Sequence, residues 1–386
     1  MTRIDRYVLI LFLRTVLVCF LSLAGIFVVF HAFTSLDDLI AQADGDSPLA
    51  WVLARFYGPY LVLLFDMTGA IITLMAFLFT VGWLRRTGEL TATLSAGVSH
   101  GRIFRPMVIA SLAIILVQLA SREFVIPIFR DTLDMKARNL GGEVEQAVSP
   151  TFDQVAGVLI EGDALWVSRG VIEQPNFRLY SDFGPFGDQL LADVAVWESV
   201  KLQDAAPEMR KLDGYRLSGV RRPENVHQLR SASNGRRWTI LTAKDYPWLA
   251  PGECFVVSDV PPGMLQTAES GTRLASVTEL GRRVRNPAVD SSLSLKVLLH
   301  ERIIRAPLDF ALIMLVLPLV INRRGRKLFV LIGAAFGIVL GFFALKTLAS
   351  TLGSNGILVT PAIAAWLPLL VIGPIAYVRL RFVQTV

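Results

Sequence analysis

Four ionisable residues stand in or at the ends of long apolar runs: Arg55, Asp66, Asp309 and Lys346. A charge in such a setting needs a partner, a polar cavity or a ligand, or else must reach the interface by extending its side chain. Arg55 and Lys346 fall near run ends, so each either snorkels or binds the anionic head of an amphipathic lipid. Asp66 lies deeper, about two helical turns or more from the end of its run, and must face protein or a polar cavity. Asp309 follows Arg305 by four residues, which predicts a same-helix ion pair.

A second kind of chemistry is docking. The segment Thr87–Gly97 reads as a short helix too polar to span a membrane. Thr87 is placed to cap it, Glu89 sits in the first turn where the helix dipole favours an anion, and Gly97 suits the position after its end. Leu90 and Leu94 form a narrow apolar stripe. The plain reading is a surface turn between two spans; the sharper one is a docking element for a cytoplasmic partner. Gly333, Gly337 and Gly341 share one face of a later apolar run, and such stripes let helices approach closely, within the chain or at a subunit interface.

Catalytic readings find little support. Gly97-Val-Ser-His-Gly101 has the spelling of a nucleophile elbow, but it lacks the strand-turn-helix setting and reads as a helix-ending turn. No phosphate-binding G-x-x-x-x-G-K-[ST] loop occurs, so any ATPase must be another polypeptide. Cys19 lies in an apolar run and Cys254 in the polar middle, which argues against a disulfide between them. His31, His100, His227 and His300 form no metal-ligand spacing. No cofactor is expected in this chain.

The elements that carry these residues follow from composition. Of 386 residues, 53% are hydrophobic and 18% charged, and the mean hydropathy is +0.53. A soluble globule is nearer a quarter charged. Six stretches reach spanning length or nearly so: Leu9–Phe33, Tyr60–Trp83, Ile103–Leu119, Ile303–Ile321, Leu328–Leu348 and Ile357–Val378. The first is longer than a signal peptide and lacks a cleavage-site pattern after Phe33, so it is expected to be a retained helix.

One set of run ends carries Arg3, Arg6, Arg14, Arg85, Arg86, Arg102, Arg105, Arg323, Arg324, Arg326, Lys327, Arg379 and Arg381. The opposite short loops carry Arg55 and Lys346, with Asp37, Asp38, Asp44 and Asp46 near the former. Positive residues mark the cytoplasmic side, so both termini and the Glu89 helix are expected there. From Ser121 to Arg305 there are 23 basic and 24 acidic residues. The net charge of +6 is therefore a topology signature and gives no support to nucleic-acid binding.

The polar middle alternates short apolar runs with turn signals. Val155–Val167 predicts a hairpin about Glu161-Gly-Asp163, and Leu191–Leu202, Gly214–Val220, Arg237–Thr242 and Cys254–Val260 predict further strands. Ser276-Val-Thr-Glu279 spells a capping box opening a short helix through Val284. An amphipathic helix over Ser291–Arg305 then leads back to the membrane. The expected fold is a six-helix membrane protein with an antiparallel, jellyroll-like β domain between the third and fourth spans. The expected domains are 1–120, with the short helix at 87–97, then 121–290, and finally 291–386.

Three segments together resemble the LptF/LptG family, the permease subunits of the lipopolysaccharide-export ABC transporter. They are Gly88 to Pro106, similar to the glutamate-bearing coupling helix and its Ala96-Gly-Val-Ser99 turn; Glu123-Phe-Val-Ile-Pro127; and His300 to Pro307 continuing to Pro318-Leu319. Arg122 departs from the asparagine of the family pattern, and the outer domain is longer by a few tens of residues. Ile4-Asp-Arg-Tyr7 leans towards the G type.

The resemblance implies an inner-membrane, non-catalytic subunit that pairs with a paralogous permease and with a cytoplasmic ABC ATPase dimer. It implies ATPase docking at Glu89, Leu90, Leu94 and Gly97, and lipid contacts at Arg55 and Lys346. It also implies facing helices one and five, with Gly333, Gly337 and Gly341 at the subunit interface, and a periplasmic jellyroll that passes lipopolysaccharide to a bridge of similar folds. A membrane receptor or scaffold with a ligand-binding β domain is the rival class. The missing cytoplasmic output domain weighs against it. A lipoprotein-release type of permease would have four spans.

Overall fold

The computed structural model describes residues 3–35, 49–130, 133, 146–180, 183–201, 211–266, 272, 274–321, 328–356 and 359–384. The loop acidic residues Asp37, Asp38, Asp44 and Asp46 and the basic run Arg323, Arg324, Arg326 and Lys327 lie outside them, as do Leu202 and Ile357. The chain divides into two compact units, Gly141–Ser292 on one hand and Met1–Leu140 with Leu293–Val386 on the other.

In the helical unit, α1 (Arg3–Thr34), α2 (Leu49–Arg86), α3 (Glu89–Ser95) and α4 (His100–Ala120) precede α6 (Leu293–Ile321), α7 (Leu328–Asn355) and α8 (Pro361–Gln384). A π-helical turn at Ser121–Val125 and a 3-10 turn at Ile126–Phe129 extend α4. Among the described residues, five helices are long and apolar enough to cross a membrane; they lie in α1, α2, α4 with its extension, α7 and α8. The sixth expected span falls on α6, whose middle carries Glu301, Arg302, Arg305 and Asp309 and is more charged than the others. Phe12, Leu74, Phe77, Phe104 and Met107 pack the core between α1, α2 and α4. Coverage is uneven: 44% of the apolar window is buried in α2 and in α4, against 6% in α1 and 17% in α7. The bare faces of α1 and α7 carry apolar side chains such as Leu17, Leu21, Phe336 and Leu340, as expected of helices in contact with lipid or a second subunit.

The second unit is built from antiparallel strands. These are β1 (Thr151–Asp153), β2 (Val158–Glu161), β3 (Ala164–Trp166), β4 (Val171–Glu173), β5 (Asn176–Leu179), β6 (Gln189–Leu191), β7 (Val194–Lys201), β8 (Lys211–Ser218), β9 (Ala232–Ser233), β10 (Trp238–Thr242) and β11 (Cys254–Val257). One sheet has the order β1-β2-β5-β6 and the other β3-β4-β7-β8-β11-β10-β9. Val158, Ile160, Phe177 and Leu190 of the first sheet share a core with Leu165, Ile172, Tyr215, Leu217 and Val256 of the second. Strands such as β2 and β5 bury alternate side chains, the pattern of packed sheets, whereas β11 is buried on both faces.

The sequence expectation of a hairpin about Gly162 is corrected. β2 pairs with β1 and β5, whereas β3 pairs with β4. Val158, Ile160 and Leu165 all enter the same core, so the chain crosses from one sheet to the other at Glu161-Gly-Asp163 instead of turning back in one. Helix α5 (Val277–Arg285) opens on Ser276, whose hydroxyl accepts the Glu279 N–H at 3.1 Å.

The result is a chain of apolar helices joined to an antiparallel β region, the arrangement of a membrane protein with a β domain.

Candidate functional site

Helix α3 presents the expected docking residues in distinct environments. Its N-cap is Gly88 at φ 76°, not Thr87. Thr87 instead donates its hydroxyl to the Trp83 carbonyl at 3.0 Å, closing the end of α2. With Thr87 spent on that carbonyl, a glycine can take the left-handed position that starts α3. Gly97, at φ 81°, follows the last turn. Leu90 is buried and Leu94 half-buried, and both join the core of Phe77, Phe104 and Met107. Glu89 is half-exposed, with the Tyr7 hydroxyl of α1 within hydrogen-bonding reach. Leu90 and Leu94 thus pack α3 against α2 and α4.

The two cations expected to meet lipid differ. Arg55 is exposed on α2, next to a cluster in which the rings of Phe27, His31, Phe56, Tyr57 and Tyr60 meet tilted or edge-on and His31 Nδ1 lies 3.0 Å from the Tyr57 hydroxyl. Lys346 is half-buried on α7 and within electrostatic reach of Asp309.

Gly333, Gly337 and Gly341 are all exposed on α7, and a Cβ added at any of them would meet nothing within 4 Å. Among the described residues, then, no close intrachain neighbour meets this stripe.

The strongest electrostatic feature joins residues far apart in sequence. The Asp66 carboxylate on α2 is 1% exposed. Arg122, in the π-turn after α4, reaches its Oδ2 at 3.1 Å, and Arg305 Nη1 on α6 lies 3.0 Å from both Asp66 oxygens. Arg305 Nη2 also donates to the Asp66 backbone carbonyl. The expected Arg305–Asp309 pair is present but looser, at 3.7 Å. Arg302 and Glu123 lie in the same field.

Two arginines on one buried carboxylate satisfy a charge that would otherwise be prohibitive in an apolar setting. They also pin α2, the π-turn that extends α4, and α6 to one point. Next to this point, Gln118 Nε2 donates to the Phe65 carbonyl at 2.8 Å. Gly69 makes that approach possible, because a Cβ there would collide with the Gln118 amide.

Sequence reasoning identified Asp66 but not its partners. Arg122 reads in the sequence as a departure from a family pattern, and Arg305 is claimed by the nearer Asp309. The carboxylate-to-arginine separations of 56 and 239 residues carry no periodic signal. Among the described residues no group of three or more His, Cys, Asp or Glu is placed to hold a metal ion.

In the β unit, Asp153 accepts the Ser258 hydroxyl at 2.6 Å and the Val155 and Ala156 N–H groups. The buried Tyr215 donates to the Val260 carbonyl at 2.8 Å. Both act as staples of the sandwich. Burial pushes the Cys254 thiol up to about 12, so the group stays protonated and unreactive.

The sequence model of the family described as lipopolysaccharide export system permease LptF/LptG matches residues 6–161 and 255–381. The match takes in α3, the Asp66–Arg122–Arg305 cluster and the glycines of α7, and it leaves out the middle of the β region. That family description covers the F and G types together. No curated protein matches the chain.

Proposed function

The chain belongs to the LptF/LptG family of lipopolysaccharide export permeases, and from that premise we propose that it is one of two paralogous permease subunits. In this reading the pair encloses a cavity for lipopolysaccharide in the inner membrane, and a separate ATPase dimer drives it. The observation that carries the reading is the pair of uncovered apolar helices, α1 and α7, of which α7 also bears the open glycine stripe. Such helices suit a cavity completed by a second, similar subunit.

The chemistry follows from the residues. Acyl chains fit an apolar wall, and Arg55 and Lys346 at its rim meet phosphate or carboxylate groups of the lipid head. The cluster around Asp66 ties α2, α4 and α6 together, and the least covered helices, α1 and α7, are the ones that shift against them. An ATPase gripping Glu89 pushes on α3, and Leu90 and Leu94 pass the push to α2 and α4. Closing the cavity then expels the lipid towards the β domain, which lies on the periplasmic side and hands it to a bridge of similar folds. Six spans, with both termini cytoplasmic, satisfy this path.

The test is a mild-detergent pull-down of the full chain followed by mass spectrometry. Recovery of a related multi-span partner and a soluble ATPase is expected. Recovery of the chain alone would overturn the reading in favour of a receptor.

A further inference from the structure

Outside that path, α1, α2 and α4 enclose a groove of about 1180 Å³. Leu9, Leu13, Phe65, Ile109, Ala113 and Val117 give it apolar walls. Arg102 and Arg105 stand at one end. Both are exposed, and neither pairs with another described residue. Asp5 also lines this mouth and is already engaged within the protein. The mouth carries two cations against one anion, at the end of the helices where the arginines of the chain gather.

The dimensions select the occupant. From Arg105 to Val117 an α-helix rises about 18 Å, and one leaflet contributes about 15 Å of hydrocarbon. The groove therefore has the depth of a single acyl chain. A second groove, of about 670 Å³, begins where the first ends, shares Phe65 and Val117, and is lined by no charged residue. Only one half of this face offers a place for a headgroup. A transmembrane helix of a partner would run the whole depth and would have to bury both arginines, which is costly without anionic partners.

We propose that this groove is a binding site for a glycerophospholipid of the leaflet on the arginine side, its phosphodiester held by Arg102 and Arg105 and one acyl chain lying along Leu9, Leu13, Ile109 and Ala113. The site depends on the chain spanning a membrane and not on which cargo the chain moves. A phospholipid seated between α1 and α4 wedges the least covered helix of the bundle against its best covered neighbours.

The experiment uses the full chain, with whatever partners it retains, in nanodiscs containing phosphatidylglycerol that bears a photoactivatable diazirine on one acyl chain. Diacylglycerol with the same diazirine is the comparison, since it lacks the phosphoglycerol head and its charge. Labelling of the peptides containing Leu13 and Ile109 should favour phosphatidylglycerol by roughly thirtyfold, the scale expected of two basic residues at a membrane surface. The variant Arg102→Gln/Arg105→Gln should lose that preference while Arg102→Lys/Arg105→Lys keeps most of it. Labelling at the exposed Leu370 of α8 should not change in either variant.

Equal labelling by the two lipids would overturn the proposal, and so would a preference that survives loss of both arginines. Cross-links from Ile109 to another polypeptide in place of lipid would also overturn it.

Discussion

Replacing Asp66 by Asn tests whether the buried ion cluster holds the helical unit together. The substitution keeps the size and the backbone carbonyl that accepts from Arg305, and it removes only the charge. Arg122 and Arg305, whose side chains are 12% and 29% exposed, then face each other without the carboxylate they share. Removing one member of a buried pair costs about 3–5 kcal/mol. Arg305 is the more exposed partner and keeps Asp309 at 3.7 Å, so the low end applies, about 3 kcal/mol. That corresponds to roughly two orders of magnitude in the folding equilibrium.

Reversible denaturation of the purified chain in mixed micelles reads this directly. Asp66→Asn should be destabilised by that amount, and the added change Arg122→Gln should return part of the loss by removing one stranded cation. A single variant within about 0.5 kcal/mol of the parent, the range of ordinary surface changes, would refute the reasoning. A double variant no more stable than the single one would also refute it.

Four further outcomes follow. Glu89→Lys should cut co-purification of the ATPase about tenfold or more, the worth of a charge-assisted hydrogen bond, while the melting of the chain barely moves; unchanged recovery would remove Glu89 from the contact. Lys346→Gln should reduce photocrosslinking of lipopolysaccharide beside it and leave ATPase recovery intact, and the reverse pattern would assign it to coupling. Gly337→Leu should leave the chain folded, since its Cβ meets nothing, but should lower recovery of the second permease; full recovery would move the interface elsewhere. In a Cys19→Ala background Cys254 should resist alkylation until the β unit unfolds. Its pKa lies above the ordinary 9.0, so the folded state keeps the proton longer than the unfolded one. Stability from this group is full below pH 9 and is lost as pH rises towards 12. Rapid labelling at pH 8 would contradict the burial.

Local features were legible in the sequence where one residue's neighbours decide them. Ser276 and Glu279 spell a capping box, and the Ser276 hydroxyl accepts the Glu279 N–H as that motif requires. The apolar runs became long helices because nothing but length and hydropathy was required. What the sequence left hidden depends on tertiary choice. β2 and β3 look like one hairpin because their alternation is the same in either arrangement, and only the shared core between two sheets separates them. Arg305 has an acidic residue one turn away, so its stronger commitment to Asp66 could not be read from spacing. Thr87 is a good N-cap by type, yet the end of α2 claims its hydroxyl. The glycines of α7 show the opposite case: their spacing allows two readings, and an added Cβ at each meets no described atom within 4 Å.

The central claim is that this chain helps move lipopolysaccharide under the power of a second polypeptide. It is tested most directly in proteoliposomes that contain the chain with its co-purified partners and lipopolysaccharide, with a photocrosslinker installed in the β unit at the exposed Tyr180. Lipopolysaccharide should reach Tyr180 only when ATP is hydrolysed, and Glu89→Lys should abolish the signal. Crosslinking that is independent of ATP, or absent while the ATPase turns over normally, would contradict the account.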